Sequence, residues 1–286
     1  MPVRDDLGTR MKEYYEQVPK FRLMRRTPVA MRLDGKAFHT FTKGFQKPFD
    51  EILVKSMQDT MKYLCENIQG CVFGYTQSDE ITLILVDYQT LDTCAWFDYE
   101  IQKMCSISAS MATMAFNKYF SENSAKYILE RNEKDKIALG YPKALCFTSF
   151  PEDLQKQFQI YCKAVEKGAM FDCRCFSIPK EEVTNLVYWR QLDATRNSIQ
   201  MVGQANFSHQ ELQGKSCNDI QDMLMLQKGI NWNNYPTYLK RGSACLRLPD
   251  PETPESERMK WTIDLDMPIL KGYGRKYIDN LVFIGE

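Results

Sequence analysis

The sequence predicts an α+β protein, and two observations point to this class. Short apolar runs rich in β-branched or aromatic residues occur at about residues 27–34, 71–75, 81–86 and 169–178, as is typical of β-strands. Longer segments with apolar residues at helical spacing lie between them. The resulting order, β-α-β-β-α-β, is that of the ferredoxin-like or split βαβ fold.

The elements of this core can be placed one by one. A charged helical segment at 5–26 precedes the first strand, and a helix at 50–69 follows it, with Asp50 as the N-cap. The second and third strands form a hairpin with acidic residues at its tip. The remaining expectations are a long helix at 93–120, a polar connector or insertion at 121–141, a short strand at 144–150, and the fourth strand at 169–178, ended by Pro179.

The C-terminal part predicts helices followed by a second β-hairpin. A helix is expected at 181–203 and another at 208–226, where Ser208 and Glu211 match a capping box. Strands at 237–248 and 261–266 would form the hairpin across a proline-rich connector at 249–254. The basic tail at 271–276 is expected to be flexible.

The composition excludes several classes of protein. The 37 Lys and Arg residues balance 37 Asp and Glu residues, so any nucleic-acid surface must be a local basic patch. With 286 residues, 44% of them hydrophobic, the chain can bury a sizeable core. It contains no apolar run as long as a membrane span and begins without the apolar core of a signal peptide. We therefore expect a cytoplasmic protein that does not enter a membrane.

The ten cysteines do not form a recognisable metal-binding motif. No two of them make a C-x-x-C pair, and the chain has only two histidines, so a zinc site is not expected. Cys173 and Cys175 alternate with charged residues in a strand and should point to one face of it. We interpret them as core residues with reduced thiols.

Two carboxylates follow strands that should be neighbours. Asp34 comes at the end of the first strand, and Asp79 lies at the tip of the hairpin, so both would reach one end of a ferredoxin-like sheet. Carboxylates gathered in this way suit a magnesium-dependent phosphoryl-transfer site. The alternative is that Asp34-Gly35 and Ser78-Asp79-Glu80 are ordinary turns.

Several longer motifs surround these carboxylates. They are Arg32-Leu33-Asp34-Gly35 with Phe38, His39 and Phe41; Phe45, Lys47, Pro48 and Asp50; Tyr75 with Gln77-Ser78-Asp79-Glu80; Phe171-Asp172 with Arg174; Trp189-Arg190-Gln191 with Asp193; Leu212-Gln213-Gly214; and Asn233-Asn234 with Tyr238 and Lys240-Arg241-Gly242. Their residues and order, over roughly 5–248, resemble the tRNA-histidine guanylyltransferase family. Bacterial, archaeal and viral relatives in that family are 3′-to-5′ tRNA-repair polymerases.

The resemblance implies a polymerase-palm fold and a chemistry. Residues 1–180 would form a palm-like catalytic core, and residues 181–286 a helical and β-hairpin region that packs on it as one unit. The family adds nucleotides to the 5′ end of tRNA, using two Mg²⁺ ions, ATP to activate the 5′-phosphate, and GTP or another nucleoside triphosphate as the added unit. Family members are often dimers or tetramers, so a homo-oligomer is expected.

The resemblance also implies roles for individual residues. Asp34 and Asp79 would be catalytic carboxylates that bind metal, with the Gly35 carbonyl as a further metal ligand. Glu80 would be an auxiliary catalytic acid, and Lys47 would contact the triphosphate. The implied nucleotide-binding positions are Asp34, Gly35, Lys36, Ala37, Phe38, His39, Lys47, Ser78 and Asp79. His39 would stack on the nucleotide or hydrogen-bond to it, and packing in the core is the alternative for this side chain.

One segment departs from the family pattern. The histidine-specific enzymes carry His-Ile-Asn-Asn where this chain has Ala194-Thr195-Arg196-Asn197-Ser198, and only Asn197 matches. This favours the repair polymerases, in which pairing with the opposite strand selects the nucleotide. Addition of a single G to tRNA-histidine and a palm-type nucleotide cyclase or dinucleotide synthetase are the alternatives. The candidate RNA contacts, for each of which an ion pair within the protein is the alternative, are Arg190, Arg196, Asn197, Lys240 and Arg241.

Overall fold

The computed structural model describes residues 6–138, 151–249 and 259–285. The strands are β1 (Val29–Gly35), β2 (Cys71–Gln77), β3 (Glu80–Leu85), β4 (Phe171–Ser177), β5 (Ser243–Pro249) and β6 (Met259–Asp264). The α-helices are α1 (Asp6–Met11), α2 (Phe38–Phe41), α3 (Glu51–Asn67), α4 (Ile101–Ala138), α5 (Glu152–Lys167), α6 (Lys180–Asn206), α7 (His209–Leu212), α8 (Cys217–Lys228), α9 (Thr237–Arg241) and α10 (Lys276–Val282). None of the helices in these ranges is both long and apolar enough to cross a membrane.

All six strands form one antiparallel sheet in the order β4-β1-β3-β2-β5-β6. The first four positions have the ferredoxin-like order that the sequence predicts, and the α+β fold class is confirmed. The C-terminal hairpin continues the sheet, because β5 pairs with β2. The sheet therefore runs unbroken from the predicted core into the C-terminal region.

Helices cover both faces of the sheet because the strand residues alternate between two apolar clusters. Met31 and Leu33 belong to the larger cluster, in which side chains of α3, α4 and α5 pack. Ala30 and Ile84 belong to the second cluster, with side chains of α6 and α10. Asp34 has the same strand parity as Ala30, so its side chain lies on the α6 face of the sheet.

Three predictions in the first half need correction. The N-terminal helix and the π-helical turn after it end at Glu16 instead of residue 26, because Pro19 disfavours helical backbone just before it. Helix α4 begins at Ile101, since Phe97 and Asp98 adopt left-handed backbone conformations. It continues through most of the predicted polar connector, because that stretch lacks Gly and Pro until Gly140 and polarity alone does not end a helix. Helix α5 was not predicted.

Three predictions in the C-terminal part also need correction. The helix expected at 208–226 is divided into α7 and α8 around Gly214, which has a φ of +74°. The Ser208 capping box is present, and a second one at Ser216 begins α8. Residues 237–241 are helical, and the strand starts after Gly242, whose φ is +84°. The predicted flexible tail is ordered, because α10 buries Ile278 and Val282 against the sheet. The predicted strand at 144–150 and most of the proline-rich connector lie outside the described residues.

Candidate active site

The two predicted carboxylate motifs meet at one end of the sheet. In the register of the sheet, Asp34 lies opposite Glu80 of β3 on one side and opposite Asp172 of β4 on the other. The backbone N–H of Gly35 donates to the carbonyl oxygen of Asp79 at 3.1 Å, so the end of β1 is bonded directly to the turn of the hairpin. The strand order thus brings together two segments that are more than 40 residues apart.

The local backbone at this edge is tightly determined. Ser78 occupies the left-handed region with a φ of 50°, and its hydroxyl lies 3.0 Å from a carboxylate oxygen of Asp79. Gly35 leaves room for the Phe38 ring, because a Cβ at position 35 would lie 2.2 Å from Phe38 Cδ2. That ring is buried against Phe41, Phe116 and Phe171 and anchors the loop after β1.

Burial and mutual repulsion shape the charge state of the two carboxylates. Burial, followed by the negative charges of Glu80 and Asp172, raises the pKa of Asp34 above its ordinary value. Burial is also the main cause that raises the pKa of Asp79, and a hydrogen bond from Ser78 opposes it. Ionising both groups at neutral pH is therefore unfavourable in the protein alone, and a cation between them would relieve that cost.

Glu80 is held by a charged network and does not project freely into the site. Its carboxylate accepts from Arg32 Nη2 at 2.8 Å, from Arg190 Nη2 at 2.8 Å and from Gln77 Nε2 at 2.7 Å. The Glu80 side chain is only 17% exposed. Each of its oxygens already has a protein partner, so the network fixes Glu80 beside Asp79.

A cleft of about 530 Å³ opens beside these groups, which is a usual size for a small-molecule site. Among the predicted nucleotide-binding residues, those that line it are Gly35, Ala37, Phe38, His39, Lys47, Ser78 and Asp79. His39 is exposed, which removes the alternative of packing in the core. Asp34 and Lys36 do not line the cleft; Lys36 is exposed, and its backbone N–H donates to the carbonyl oxygen of Met170.

Three of the candidate RNA contacts converge on one carboxylate of helix α6. Arg190 and Arg196 both form ion pairs with Asp193, and the amide of Asn197 lies 3.4 Å from it. Arg190 is buried, and its guanidinium also binds Glu80, so we no longer count it among the RNA contacts. Arg196 stays 62% exposed in spite of its ion pair.

The other two candidate RNA contacts lie at the end of α9. Lys240 donates to the carbonyl oxygen of Asn233 at 2.6 Å. Arg241 uses its backbone carbonyl to accept a hydrogen bond from the Tyr75 hydroxyl at 2.6 Å. Helix α9 is thereby attached to β2 two residues before the hairpin tip, on the side of the site away from β4.

Three functional positions near Asp34 were not assigned from the sequence. Asp172 lies opposite Asp34 in the register, and Arg32 and Arg174 oppose the rise in the pKa of Asp34. The alternation of β1 and β4 was the available signal, because residues two apart in a strand share a face. Met201 and Gln204 of α6 also line the cleft, and no sequence pattern marked them.

The donor set suits a hard cation. Asp34 and Asp79 supply carboxylate oxygens, and the backbone between β1 and α2 supplies carbonyl oxygens; such oxygen ligands are the ones that Mg²⁺ prefers. The repulsion that raises the pKa of Asp34 is a second sign of fit, because it is an excess of negative charge at this spot. A ferredoxin-like sheet with paired carboxylates at one end and a basic cleft beside them defines the class of palm-like phosphoryl-transfer enzymes.

Comparison with known proteins identifies the family. The profile of Thg1, tRNA-His guanylyltransferase, matches residues 8–179, which is more than half of the chain. The tRNA(His) guanylyltransferase of Saccharomyces cerevisiae is 28% identical over 233 residues, which cover 77% of this chain and 82% of the yeast protein. The chain belongs to the tRNA-histidine guanylyltransferase family, and it is a nucleotidyltransferase.

Solved structures agree with this assignment. A bacterial tRNA(His) guanylyltransferase-like protein in complex with ATP superposes with a TM-score of 0.76 and 37% identity, over 98% of this chain and all of the other. A structure of a bacterial protein of the same description in complex with GTP gives a TM-score of 0.72 and 34% identity, with the same coverage. The similarity extends through the C-terminal hairpin and α10, beyond the stretch that the family profile matches.

Proposed function

We propose that this enzyme repairs the 5′ end of tRNA by template-dependent 3′-to-5′ nucleotide addition. The observation that carries the proposal is the position of Asp79 on the wall of a cleft that also contains Lys47 and His39, with Asp34 bonded into the same edge through Gly35. Family membership supplies the reaction class. The bacterial relatives bound to ATP and to GTP support nucleoside triphosphates as the occupants of this cleft.

The proposed reaction has two phosphoryl-transfer steps. In the first, an oxygen of the tRNA 5′-monophosphate attacks the α-phosphorus of ATP, and pyrophosphate leaves. In the second, the 3′-hydroxyl of the incoming nucleoside triphosphate loses its proton and attacks the 5′-phosphorus, and AMP leaves. The new phosphodiester bond extends the RNA by one nucleotide whose own triphosphate becomes the new 5′ end. A 5′-triphosphorylated RNA would enter the second step directly, with pyrophosphate as the leaving group.

Each residue of the site has a physical role in this scheme. The Asp34 and Asp79 carboxylates and the Gly35 carbonyl would hold two Mg²⁺ ions, which supply charge neutralisation at the transferring phosphate. Lys47 places a positive charge at the opposite part of the cleft wall for the triphosphate. His39 is free to stack on a base or to hydrogen-bond with it. Glu80 acts by holding the hairpin tip through Arg32 and Arg190.

The segment at 194–198 favours repair over addition of a single G. It lies in the middle of α6, where Ala194 and Ser198 are buried and Asn197 hydrogen-bonds within the helix. No side chain at these positions repeats the His-Ile-Asn-Asn pattern of the histidine-specific enzymes. Specificity would then come from pairing with the opposite RNA strand, while the protein reads phosphates and helix shape. Lys240, Arg241 and Arg196 are the proposed basic contacts.

Addition of a single G to tRNA-histidine is the second candidate function. The family profile and the yeast relative, which is named for that activity, favour it. The two functions differ in one respect that can be measured. A repair enzyme adds the nucleotide that pairs with the opposing base, whereas a guanylyltransferase adds G to tRNA-histidine whatever base stands opposite.

The deciding experiment uses tRNAs that lack their first 5′ nucleotide. Each is incubated with the enzyme, Mg²⁺, ATP and one nucleoside triphosphate at a time, with the Asp79→Asn enzyme as the control for contaminating activity. Addition of only the complementary nucleotide, across four opposing bases, supports the proposal. Addition of G alone, and only to tRNA-histidine, would replace it with the second candidate. Consumption of ATP or GTP without RNA would instead point to a nucleotide cyclase or dinucleotide synthetase.

A further inference from the structure

Three thiols come together away from the active site, between helix α4 and the edge strand β4. Cys173 and Cys175 are two residues apart in β4 and therefore point to the same face. Cys105, in the second turn of α4, meets them there, with its sulfur 3.4 Å from that of Cys175. The sulfurs of Cys173 and Cys175 are 3.8 Å apart, and all three lie within 4.8 Å of one another.

These spacings are those of ligands around one metal ion. With Zn–S bonds of about 2.3 Å in tetrahedral geometry, neighbouring thiolates are about 3.8 Å apart. A disulfide would require its sulfurs to be about 2.05 Å apart. The trio is also only partly buried, so an ion can reach it from solvent.

We propose that Cys105, Cys173 and Cys175 form a binding site for a thiophilic metal ion, with Zn²⁺ as the expected occupant. Binding of one Zn²⁺ replaces the three thiol protons, which pass to solvent, and forms three Zn–S bonds. Because no fourth His, Cys, Asp or Glu joins the group among the described residues, a water molecule would complete the tetrahedron.

The position of the trio gives the site a structural role. Cys173 lies opposite Leu33 in the register of the sheet, next to the pairing of Asp172 with Asp34. A metal ion there would tie α4 to β4 and thereby stabilise the strand that supports the end of β1. The site would act on folding stability, in contrast to the oxygen ligands at the sheet edge, which suit Mg²⁺.

Burial in an apolar core and a redox switch explain the arrangement less well. All three thiols are partly exposed, so core packing does not account for their meeting. A redox-active cysteine needs a low pKa, because the thiolate is the reactive form. Hydrogen bonding with Cys173, followed by burial, raises the pKa of Cys105 well above its ordinary value, which is the opposite of that requirement.

The test measures thiolate–metal bonds directly and does not depend on activity. The reduced full-length protein is titrated with Cd²⁺ in excess Mg²⁺, and the ultraviolet thiolate-to-cadmium charge-transfer band is recorded. Native mass spectrometry with Zn²⁺ gives the stoichiometry. We expect one equivalent in the parent protein and loss of the band in each of Cys105→Ser, Cys173→Ser and Cys175→Ser. Cys162→Ser, a partly exposed cysteine of α5, is the matched control and should keep the band.

Three results would overturn the proposal. One is a parent protein without the charge-transfer band, and another is a band that survives in Cys105→Ser. The third is a Cys105–Cys175 disulfide, detected as two fewer free thiols in protein purified without reductant. If a serine variant fails to fold, the parent and the Cys162→Ser protein still decide the question, because Zn²⁺ must raise the Tm of both.

Discussion

Asp34 and Asp79 are placed where ionisation costs the folded protein free energy. Both carboxylates have a raised pKa, with burial as the largest cause, and each also feels the charge of Glu80. Such a cost at a functional site is the usual exchange of stability for activity. Removal of one charge should therefore have opposite effects on folding and on catalysis.

The first prediction concerns Asp34→Asn. We expect nucleotide addition to fall by about 10³-fold or more, because several kcal/mol of charge neutralisation are lost. In metal-free buffer at neutral pH, the free energy of unfolding should rise. Urea denaturation and the addition assay measure the two effects, with the exposed Asp222→Asn as the control. Near-parental activity in Asp34→Asn would refute the metal-ligand assignment.

The pH dependence of this effect has a definite sign. A raised pKa means that the folded protein binds the proton more tightly than the unfolded chain does. As the pH falls through the folded-state pKa, the parent protein takes up the proton and gains stability relative to Asp34→Asn. The stability difference between the two proteins should therefore be largest at neutral pH and shrink in acid.

The second prediction concerns Lys47→Ala. Lys47 is exposed on the cleft wall, and its proposed contact is a charge-assisted one with the triphosphate. Loss of about 1.5 kcal/mol would raise KM for the nucleotide about tenfold and leave the affinity for tRNA unchanged. Lys43→Ala, an exposed lysine that does not line the cleft, should behave like the parent. Weaker tRNA binding with an unchanged nucleotide KM would contradict the role.

At the scale of elements, helix α6 is attached to the catalytic hairpin by one buried arginine. Arg190 is 5% exposed and joins Glu80, at the start of β3, to Asp193 of its own helix. The sequence marked Arg190 as a basic residue within a family motif. Only the packing of α6 against the sheet shows that the guanidinium faces inward.

The third prediction compares Arg190→Met with Arg196→Ala. Both arginines form ion pairs with Asp193, but Arg196 does so at the surface. Breaking the buried network should cost about 3–5 kcal/mol, whereas the surface pair should cost about 1 kcal/mol or less. Urea denaturation of the two variants gives both values. Equal losses would show that burial of Arg190 does not govern the energetics.

The fourth prediction concerns the junction between β1 and α2. Gly35→Ala places a Cβ within 2.2 Å of a buried phenylalanine ring, so overpacking should cost about 1–3 kcal/mol. The double variant Gly35→Ala with Phe38→Leu should recover part of that loss, because the smaller side chain vacates the clash. Thermal denaturation of the single and double variants measures the recovery. If the effects simply add, the Phe38 contact is not the cause.

At the scale of the whole molecule, the C-terminal helix closes the second face of the sheet. Ile278 and Val282 are fully buried, and the Thr184 hydroxyl of α6 donates to Asp279 at 2.6 Å. The Tyr88 hydroxyl, just beyond β3, donates to the Val282 carbonyl at 2.9 Å. The last 20 residues thus contribute to the core that supports the catalytic strands.

The fifth prediction tests this contribution. Ile278→Ala should lower the free energy of unfolding by about 2–5 kcal/mol, as for other large-to-small changes in a core. Tyr273→Ala, which removes a side chain that is 84% exposed, should change it by about 0.5 kcal/mol or less. Denaturation with urea measures both. A small effect of Ile278→Ala would support the original expectation of a loosely attached tail.

Much of the fold followed from local patterns in the chain. The strand at residues 27–34, the hairpin with Ser78 and Asp79 at its tip, and the helix capped by Asp50 were each predicted and are present. The errors lie where one residue outweighs a periodic pattern. Gly214 divides a continuous apolar pattern, and the left-handed backbone at Phe97 and Asp98 delays the start of α4.

The sequence by itself determined the order of the elements, the family motifs and the two carboxylates, because periodicity, caps and turns act over a few residues. Tertiary structure alone decided which distant groups meet. It placed Asp172 opposite Asp34, turned Arg190 inward and brought Cys105 to two cysteines about 70 residues away. The reason is physical: strand order and helix packing set these distances, and both depend on burial summed over the whole chain.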